Sequence, residues 1–229
     1  MKIAALIPAY NEEKTIAAVL REVRPFVAEI VVVDDGSTDG TAAAVRESGA
    51  TVLRHEANRG KGAALRTGFD RLAGGGFDAV LTMDSDLQHK ADEAVHLVEA
   101  MRRTGADLVI GERAGLARHT RFLRRFGNLC TNFWVGVVAG LDLPDTQSGF
   151  RLLSKRFFSE VRLESDGYEI ETEMILKAAR QGLRIASVPI EVNYMDGTAT
   201  SKMRALPATA RVIKVLVRHL WSAGTTGTK

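Results

Sequence analysis

Three oxygen-bearing side chains, Asp84, Asp86 and Gln88, recur at every second position of LTMDSDLQHK, directly behind an apolar run. Side chains of an extended chain alternate faces, so the three share one side if the chain stays extended past Met83. Two carboxylates and an amide oxygen are hard ligands suited to Mg2+ or Mn2+, ions that commonly keep positions open for substrate phosphates. Turn or helix-capping aspartates ahead of KADEAVHLVEAM are the structural alternative. That alternative is favoured for an isolated Asp-x-Asp and loses ground when the pair ends a buried strand. The adjacent His89 reads as a local hydrogen-bond partner of these acids and stays outside the ligand set.

Two further segments carry chemistry. DDGSTDGT sets Asp34 and Asp35 at a strand end, where one carboxylate can accept hydrogen bonds from a ribose or a base. Ser37, Thr38 and Asp39 are N-cap candidates for the helix that follows. NRGKGAAL places Arg59 and Lys61 between glycines at a helix start, suited to approach by a phosphate or base. Neither a G-x-G-x-x-G fingerprint nor a Walker A loop occurs.

The elements that must mount these groups follow from periodicity. Apolar, β-branched runs at Lys2 to Ala9, Glu29 to Asp34, Thr51 to His55 and Asp78 to Met83 alternate with helix-period segments. That alternation predicts a mainly parallel sheet with helices on both faces, and ligands at the carboxyl ends of its strands. The four strand ends carry PAYNEE, DDGSTDGT, HEANRGKG and DSDLQH. One such segment is ordinary turn chemistry; four on the same edge indicate a site.

Beyond Arg102, GADLVIGER reads as a strand, residues 118–140 as a long helix, and DTQSGFRLLSKRFF as a loop and short helix. YEIETEMILKAARQG reads as a helix on which Glu169, Glu171 and Glu173 cannot share one face, a solvated surface being as good a reading as a functional one. LRIASVPIEVNYM is a late strand whose Pro189 suggests an edge or bulge, and DGTATSKMR a loop. ATARVIKVLVRHLW sets Val212, Ile213, Leu216, Val217 and Leu220 on one helical face and Arg211, Lys214 and Arg218 on another. Such a helix either packs on the body or lies on anionic lipid.

A chain of 229 residues, 45% hydrophobic and 26% charged, buries one main core. The division expected is a catalytic domain over 1–205, a basic amphipathic helix over 206–221 and a disordered tail over 222–229. A formal net charge of +3 gives no ground for a nucleic-acid partner. The lone Cys130 forbids an intramolecular disulfide and a thiolate zinc site, which suits a reducing compartment, and reads as a small buried hydrophobe. No run approaches the roughly 18 apolar residues of a membrane span, and the N-terminus reads as a core strand rather than a secretory signal. The expectation is a cytoplasmic protein with peripheral contact on the inner face of the cytoplasmic membrane.

Taken together, PAYNEE, DDGSTDGT, NRGKGAAL, DSDLQH, DTQSGFR and SVPIEVNY resemble, in order, the inverting glycosyltransferases of family 2. The similarity runs from about Ile3 to Tyr194 and is greatest to the dolichol-phosphate mannose synthase and polyprenyl-phosphate glycosyltransferase branch. The resemblance implies a GT-A fold, a Rossmann-like, mainly parallel sheet flanked by helices. It implies a nucleotide-diphospho-sugar donor of the GDP-mannose or UDP-glucose type, held by Pro8, Tyr10, Glu12, Asp35 and Lys61, with Asp34 beside them. Asp84, Asp86 and Gln88 would then serve a divalent cation, Mg2+ or Mn2+, and the donor diphosphate.

The acceptor implied is a polyprenyl monophosphate meeting Arg113, in GER where the family usually has GSR, and Arg124, with Asn128 where a Ser is common. A phosphate monoester is already anionic near neutral pH and dispenses with a general base. A sugar hydroxyl would need one, for which Asp145 of DTQSGF is the candidate. Two positions depart from the family pattern. Met195 and Asp196 follow the late strand where relatives often carry a cation, leaving Lys202 as the nearest, and Glu112 adds a charge beside the acceptor position. Two other functions fit the same residues: transfer to a soluble or saccharide hydroxyl, and nucleotide-sugar binding without turnover.

Overall fold

Alternation along the strands sorts the interior into two layers. In β1 (Ile3–Ala9), Ala4 and Leu6 join one buried cluster while Ile3, Ala5 and Ile7 join the other. In β2 (Glu29–Asp34), Val31 and Val33 oppose Ile30 and Val32 in the same way. A strand covered on both faces needs an apolar residue at every position, which is why these runs read as continuous in the sequence. A computed structural model describes residues 1–113, 122–193 and 211–218, and only the backbone over 122–130.

The sheet has seven strands in the order β3-β2-β1-β4-β6-β5-β7, with β3 at Thr51–Arg54, β4 at Ala79–Thr82, β5 at Leu108–Arg113, β6 at Arg151–Ser154 and β7 at Ile185–Ile190. All pairings are parallel except those of β6, which runs against both β4 and β5. Helices α1 (Ile16–Val23) and α4 (Ala94–Thr104) bury their apolar stripes on one face. Helices α3 (Lys61–Leu72) and α7 (Ile170–Arg180) cover the other. Between these lie α2 (Thr41–Glu47), α5 (Phe122–Ala139) and α6 (Lys155–Glu160).

Strand β6 corrects the expectation of a loop and short helix over residues 145–158. It has four residues, begins on Arg151 and contains no β-branched side chain, so neither propensity nor length announces it. Its consequence is large. Thr82 pairs with Arg151 in the β4–β6 ladder, so the chain enters β6 at the edge where β4 leaves the sheet. The loop Asp145–Gly149 is thereby delivered beside Asp84–Gln88. Pro189 sits in β7, an edge strand, as its missing N–H requires.

Residues 211–218 form a final helix, α8. Val212 and Leu216 are buried in the core, whereas Ile213 is 54% exposed and Val217 50%. The apolar face expected of this helix is therefore divided: one row packs on the body and one row faces outward. Of the expected N-caps for α2, Ser37 instead accepts a hydrogen bond from Asn11 N, and Gly40 occupies the cap position. Asp39 accepts hydrogen bonds from both Thr41 N and Thr41 Oγ1.

Candidate active site

Loops at the carboxyl edge are bound to one another before any ligand is considered. In the PAYNEE turn, Asn11 adopts a left-handed φ of 53° and its Oδ1 accepts from Thr38 N at 2.9 Å, while Glu12 N donates to Thr41 Oγ1 at 2.8 Å. Pro8 is the penultimate residue of β1 and Tyr10 stands just beyond the strand, both part-buried. The buried Asp34 accepts from Ser37 N at 2.9 Å and pairs with Arg54 at 3.2 Å. Asp35 accepts from Arg59 N and Gly60 N at 2.9 and 2.8 Å and meets His55 Nδ1 at 2.6 Å, the other ring nitrogen lying 3.0 Å from Thr67 Oγ1. The first described duty of Asp35 is thus to hold the turn that starts α3, and that of Asp34 to hold the turn ahead of α2 and the end of β3.

That turn points Lys61 inward. Gly60 has φ +100°, and a Cβ there would collide with the carbonyl oxygen of Asp166, so only glycine lets the 165–167 segment press on the helix start. The Lys61 ammonium lies 2.5 Å from Asp84 Oδ1 and 2.7 Å from Glu171 Oε1, with the lysine side chain only 13% exposed. Burial opposes the charge on Lys61, but the two carboxylates outweigh it and raise its pKa. At Asp84, burial likewise disfavours ionisation, yet Lys61 and then His89 hold its pKa well below the usual carboxylate range. Asp86 is shifted the other way, upward, by burial and by the charge of Asp84.

The extended geometry expected past Met83 is not what forms. β4 ends at Thr82, Leu87 takes a left-handed φ of 62°, and Asp86 Oδ1 accepts from Gln88 N at 3.1 Å. A turn, not a strand, presents the two acids, although they remain at the strand's end and adjoin one another electrostatically. His89 is buried, stacks on Phe150 at 5.2 Å and places Nε2 3.5 Å from Asp84 Oδ2, the local-partner role read from the sequence.

Beside this cluster, β5 brings up Arg113 and the loop before β6 brings up Asp145. The pair is bidentate, Nε to Oδ2 at 2.7 Å and Nη2 to Oδ1 at 2.9 Å. Burial would raise the Asp145 pKa, but Arg113 overrides it and holds the acid low. Gly149 brings its backbone against the acids, since a Cβ there would stand 2.6 Å from Asp84 Oδ2 and 2.8 Å from Lys61 Nζ. Of the remaining predicted residues, Arg124, Asn128 and Cys130 lie where only the backbone is described, and Met195, Asp196 and Lys202 lie outside the described residues.

Sequence reasoning undervalued α7. Glu169, Glu171 and Glu173 are all buried, which overturns the solvated-helix reading. They do point apart, as the helical geometry requires, and each meets a different partner. Glu169 accepts from Gly167 N, Glu171 pairs with Lys61, and Glu173 accepts from Glu164 N and Ser165 N at 2.9 and 2.8 Å while pairing with Lys177. Among the described residues, the buried side-chain atoms without a hydrogen-bond partner are Asp34 Oδ2, His89 Nδ1, Glu169 Oε2 and Glu171 Oε2, all at or next to this edge. Asp34 Oδ2 retains its ion pair with Arg54, and the other three are left for water, an ion or a ligand to complete.

Glu173 carries a checkable pH effect. Burial raises its pKa, but hydrogen bonds from Lys177 and Ser165 prevail and lower it. Its stabilisation is therefore complete above the unfolded value of about 4.3 and is lost as pH falls through the depressed folded value. Glu173→Gln is expected to lower Tm at pH 7 by about 4 °C, with the gap to wild type closing below about pH 4. Calorimetry across that range is the measurement, and a gap that widens in acid contradicts the assignment.

A concavity of about 710 Å3 lies elsewhere, between α4 and β7, lined by His96, Glu99, Arg102, Arg103 and Pro189 among others. It contains none of the converging acids, and the chemistry stays with the carboxyl edge.

Comparison with known proteins agrees with this geometry. An undecaprenyl-phosphate mannosyltransferase of Micrococcus luteus is 32% identical over 203 residues, 83% of each chain. A UDP-N-acetylglucosamine–dolichyl-phosphate N-acetylglucosaminyltransferase of Methanococcus voltae is 29% identical over 218 residues, 85% of this chain and 86% of that one. Among solved structures, glucosyl-3-phosphoglycerate synthase of Mycobacterium tuberculosis, crystallised with Mn2+, UDP and glucosyl-3-phosphoglycerate, matches with a TM-score of 0.73 and 27% identity over 95% of this chain and 79% of that one. The mainly parallel sheet is the GT-A fold that the chain shares with this synthase. With residues 4–162 matching the model for glycosyl transferase family 2, the chain belongs to that family of enzymes.

Proposed function

We propose that the chain transfers a sugar, with inversion, from a nucleotide-diphospho-sugar to a polyprenyl phosphate at a membrane surface. The observation that carries this reading is the Lys61–Asp84–Glu171 cluster, with Asp86 adjoining, set next to the fixed Arg113. Donor and acceptor phosphates then have neighbouring seats. The donor lies along Pro8, Tyr10, Glu12, Asp34, Asp35 and Lys61, at the ends of β1 and β2 and the start of α3.

The residues present suit a divalent cation. Asp84 and Asp86 crowd two carboxylates together, Asp86 is pushed toward neutrality by that crowding, and a cation relieves it. Among the described residues no three His, Cys, Asp or Glu side chains converge as a closed metal site. Asp84, Asp86 and Gln88 would hold Mg2+ or Mn2+ with open positions left for phosphate oxygens. Bound there, the ion supplies charge neutralisation for a departing diphosphate. Arg113, oriented by Asp145, positions the acceptor phosphate, assisted by Arg124.

Asp145 favours the phosphate acceptor over a hydroxyl. A carboxylate held bidentately by an arginine and lowered in pKa is a weak proton acceptor, and an anionic acceptor needs none. The names of the relatives from Micrococcus and Methanococcus point the same way. Among the described residues no helix is long and apolar enough to cross a membrane. Contact with lipid falls instead to the exposed Phe133, Trp134 and Val137 of α5 and to Ile213 and Val217 of α8, the latter beside Lys214 and Arg218.

The test is nucleotide release from GDP-mannose and from UDP-glucose, with Mn2+ present, using polyprenyl phosphate in anionic vesicles or simple sugars as acceptors. Release with the lipid alone is expected; release with sugars and none with lipid overturns the reading. Trp134→Ser/Ile213→Ser is expected to lower turnover on vesicles about tenfold, through lost apolar burial in the interface. Turnover on a short-chain acceptor in detergent should be spared. Equal turnover on both presentations removes these residues from the lipid contact.

A further inference from the structure

Lys61 opens a helix in a glycine-rich turn, a place that ordinarily aims a cation outward at phosphate. Its ammonium is turned instead onto two carboxylates, at 2.5 Å from Asp84 and 2.7 Å from Glu171. The Tyr168 ring stands over it at 5.8 Å, and the Gly149 backbone presses on both the ammonium and Asp84. Asp86 stands next to Asp84 and adds a third carboxylate to the cluster without pairing with the lysine. We propose that Lys61 is a resident counter-cation that occupies the charge position at Asp84 and yields it only when a nucleoside diphosphate offers the ammonium phosphate oxygens in exchange.

This inference rests on the reading of Asp84 and Asp86 as the divalent-cation site and adds how access to it is controlled. Two cations cannot sit together against one carboxylate without repulsion, which is large at a few ångströms in a part-buried setting. Lys61 therefore weakens divalent-cation binding while it rests on Asp84. Glu171 is the positioning residue: one oxygen holds the ammonium and the other is buried without a hydrogen-bond partner, so Glu171 retains Lys61 once the contact with Asp84 is released. Cation and nucleotide then bind as a pair, each improving the other's affinity, as reciprocity requires. An acid cluster guarded in this way does not collect divalent ions when donor is absent.

A lysine serving only as a phosphate ligand, or only as a static ion pair, makes a different prediction, and Mn2+ binding compared without and with nucleotide separates the three. Mn2+ titrations of the full chain, followed by electron spin resonance of the free ion, are made with no nucleotide, with UDP and with GDP. Lys61→Met and Lys61→Gln are expected to bind Mn2+ alone at least about tenfold more tightly than wild type. Lys61→Arg, which keeps the charge, should stay within about twofold, and the gain in Mn2+ affinity on adding nucleotide should shrink in the neutral variants. The two neutral variants differ in shape, and circular dichroism identifies a fold defect in either. Folded neutral variants that bind Mn2+ no more tightly than wild type overturn the inference while leaving the metal site in place, provided wild type binds Mn2+ with a nucleotide. A wild-type chain that binds no Mn2+ even with UDP or GDP overturns both the inference and the metal-dependent reading.

Discussion

Asp86→Ala is expected to abolish stabilisation of the chain by donor and metal together. Wild type should gain several degrees in Tm when Mn2+ is added with its nucleotide, since a ligand that binds only the native state stabilises it by mass action. In the variant the gain should vanish, and turnover should fall by about 10²–10³, the range for losing one electrostatic element of transition-state stabilisation. The ligand-free Tm should not fall. Asp86 is a part-buried acid shifted upward by burial and by Asp84, so the repulsion relieved on removing it offsets the hydrogen bond it accepts from Gln88 N. Stability conceded at a functional site in this way is recovered when the site is disabled. Thermal shift with and without Mn2+, across GDP and UDP, is the measurement; retained metal-dependent stabilisation removes Asp86 from the metal set.

Arg151→Met should be the most destabilising single change among the buried side chains described. Arg151 is 1% exposed and donates to the carbonyl oxygens of Ser148, Glu171 and Thr146, each at 2.8 Å. Burial depresses its pKa to about 10, while the charges of Glu171, Asp145 and Asp84 support it, so the guanidinium remains protonated at neutral pH. Methionine fills the volume but gives up three charge-assisted hydrogen bonds to carbonyl oxygens, a loss of about 3–5 kcal/mol of the kind seen when one partner of a buried charged network is removed. Arg151→Lys should recover little, because a single ammonium cannot reproduce the fork that spans three acceptors. Urea unfolding is the check, and a loss under about 1 kcal/mol would contradict this account.

The legible part of the chain was the part governed by burial. β1 and β2 announced themselves because both faces are covered and every position is apolar but the first and last of β2, Glu29 and Asp34. β4, though four residues long, is wholly buried and could be located by the acids that follow it. β6 was hidden because an arginine opens it, and nothing in RLLS distinguishes a buried arginine from a solvated one. The alternation of Leu152 and Leu153 into opposite layers, between DTQSG and KRFF, was its one available trace.

At the site, residue types were readable and their partners were not. Asp84 and Asp86 stood out by position, but the left-handed Leu87 that turns the chain carries no sequence signal, since leucine rarely takes that conformation. Glu171 was undervalued because helical spacing alone does not reveal that the 162–168 segment wraps the start of α7, tied there through Glu173. Lys61 was read as facing a phosphate. Its grip on two carboxylates depends on residues 23 and 110 positions away along the chain, beyond the reach of any local pattern.

The reversed direction of β6 also bears on how the enzyme can change. Every parallel strand delivers its loop to the reactive edge on leaving the sheet, so altering that loop disturbs the helix that returns the chain. β6 delivers its loop on entering, after a helix has already ended at Ala139. Residues 140–144 therefore set no register in β1, β2 or β4, and a change in their length is borne by Leu143, buried in the core, and by the bond from Asn132 to the Pro144 carbonyl. If the Arg113 side receives the acceptor, as proposed, acceptor choice can be varied through this connection without moving the strands beneath the Asp34 and Asp35 loops.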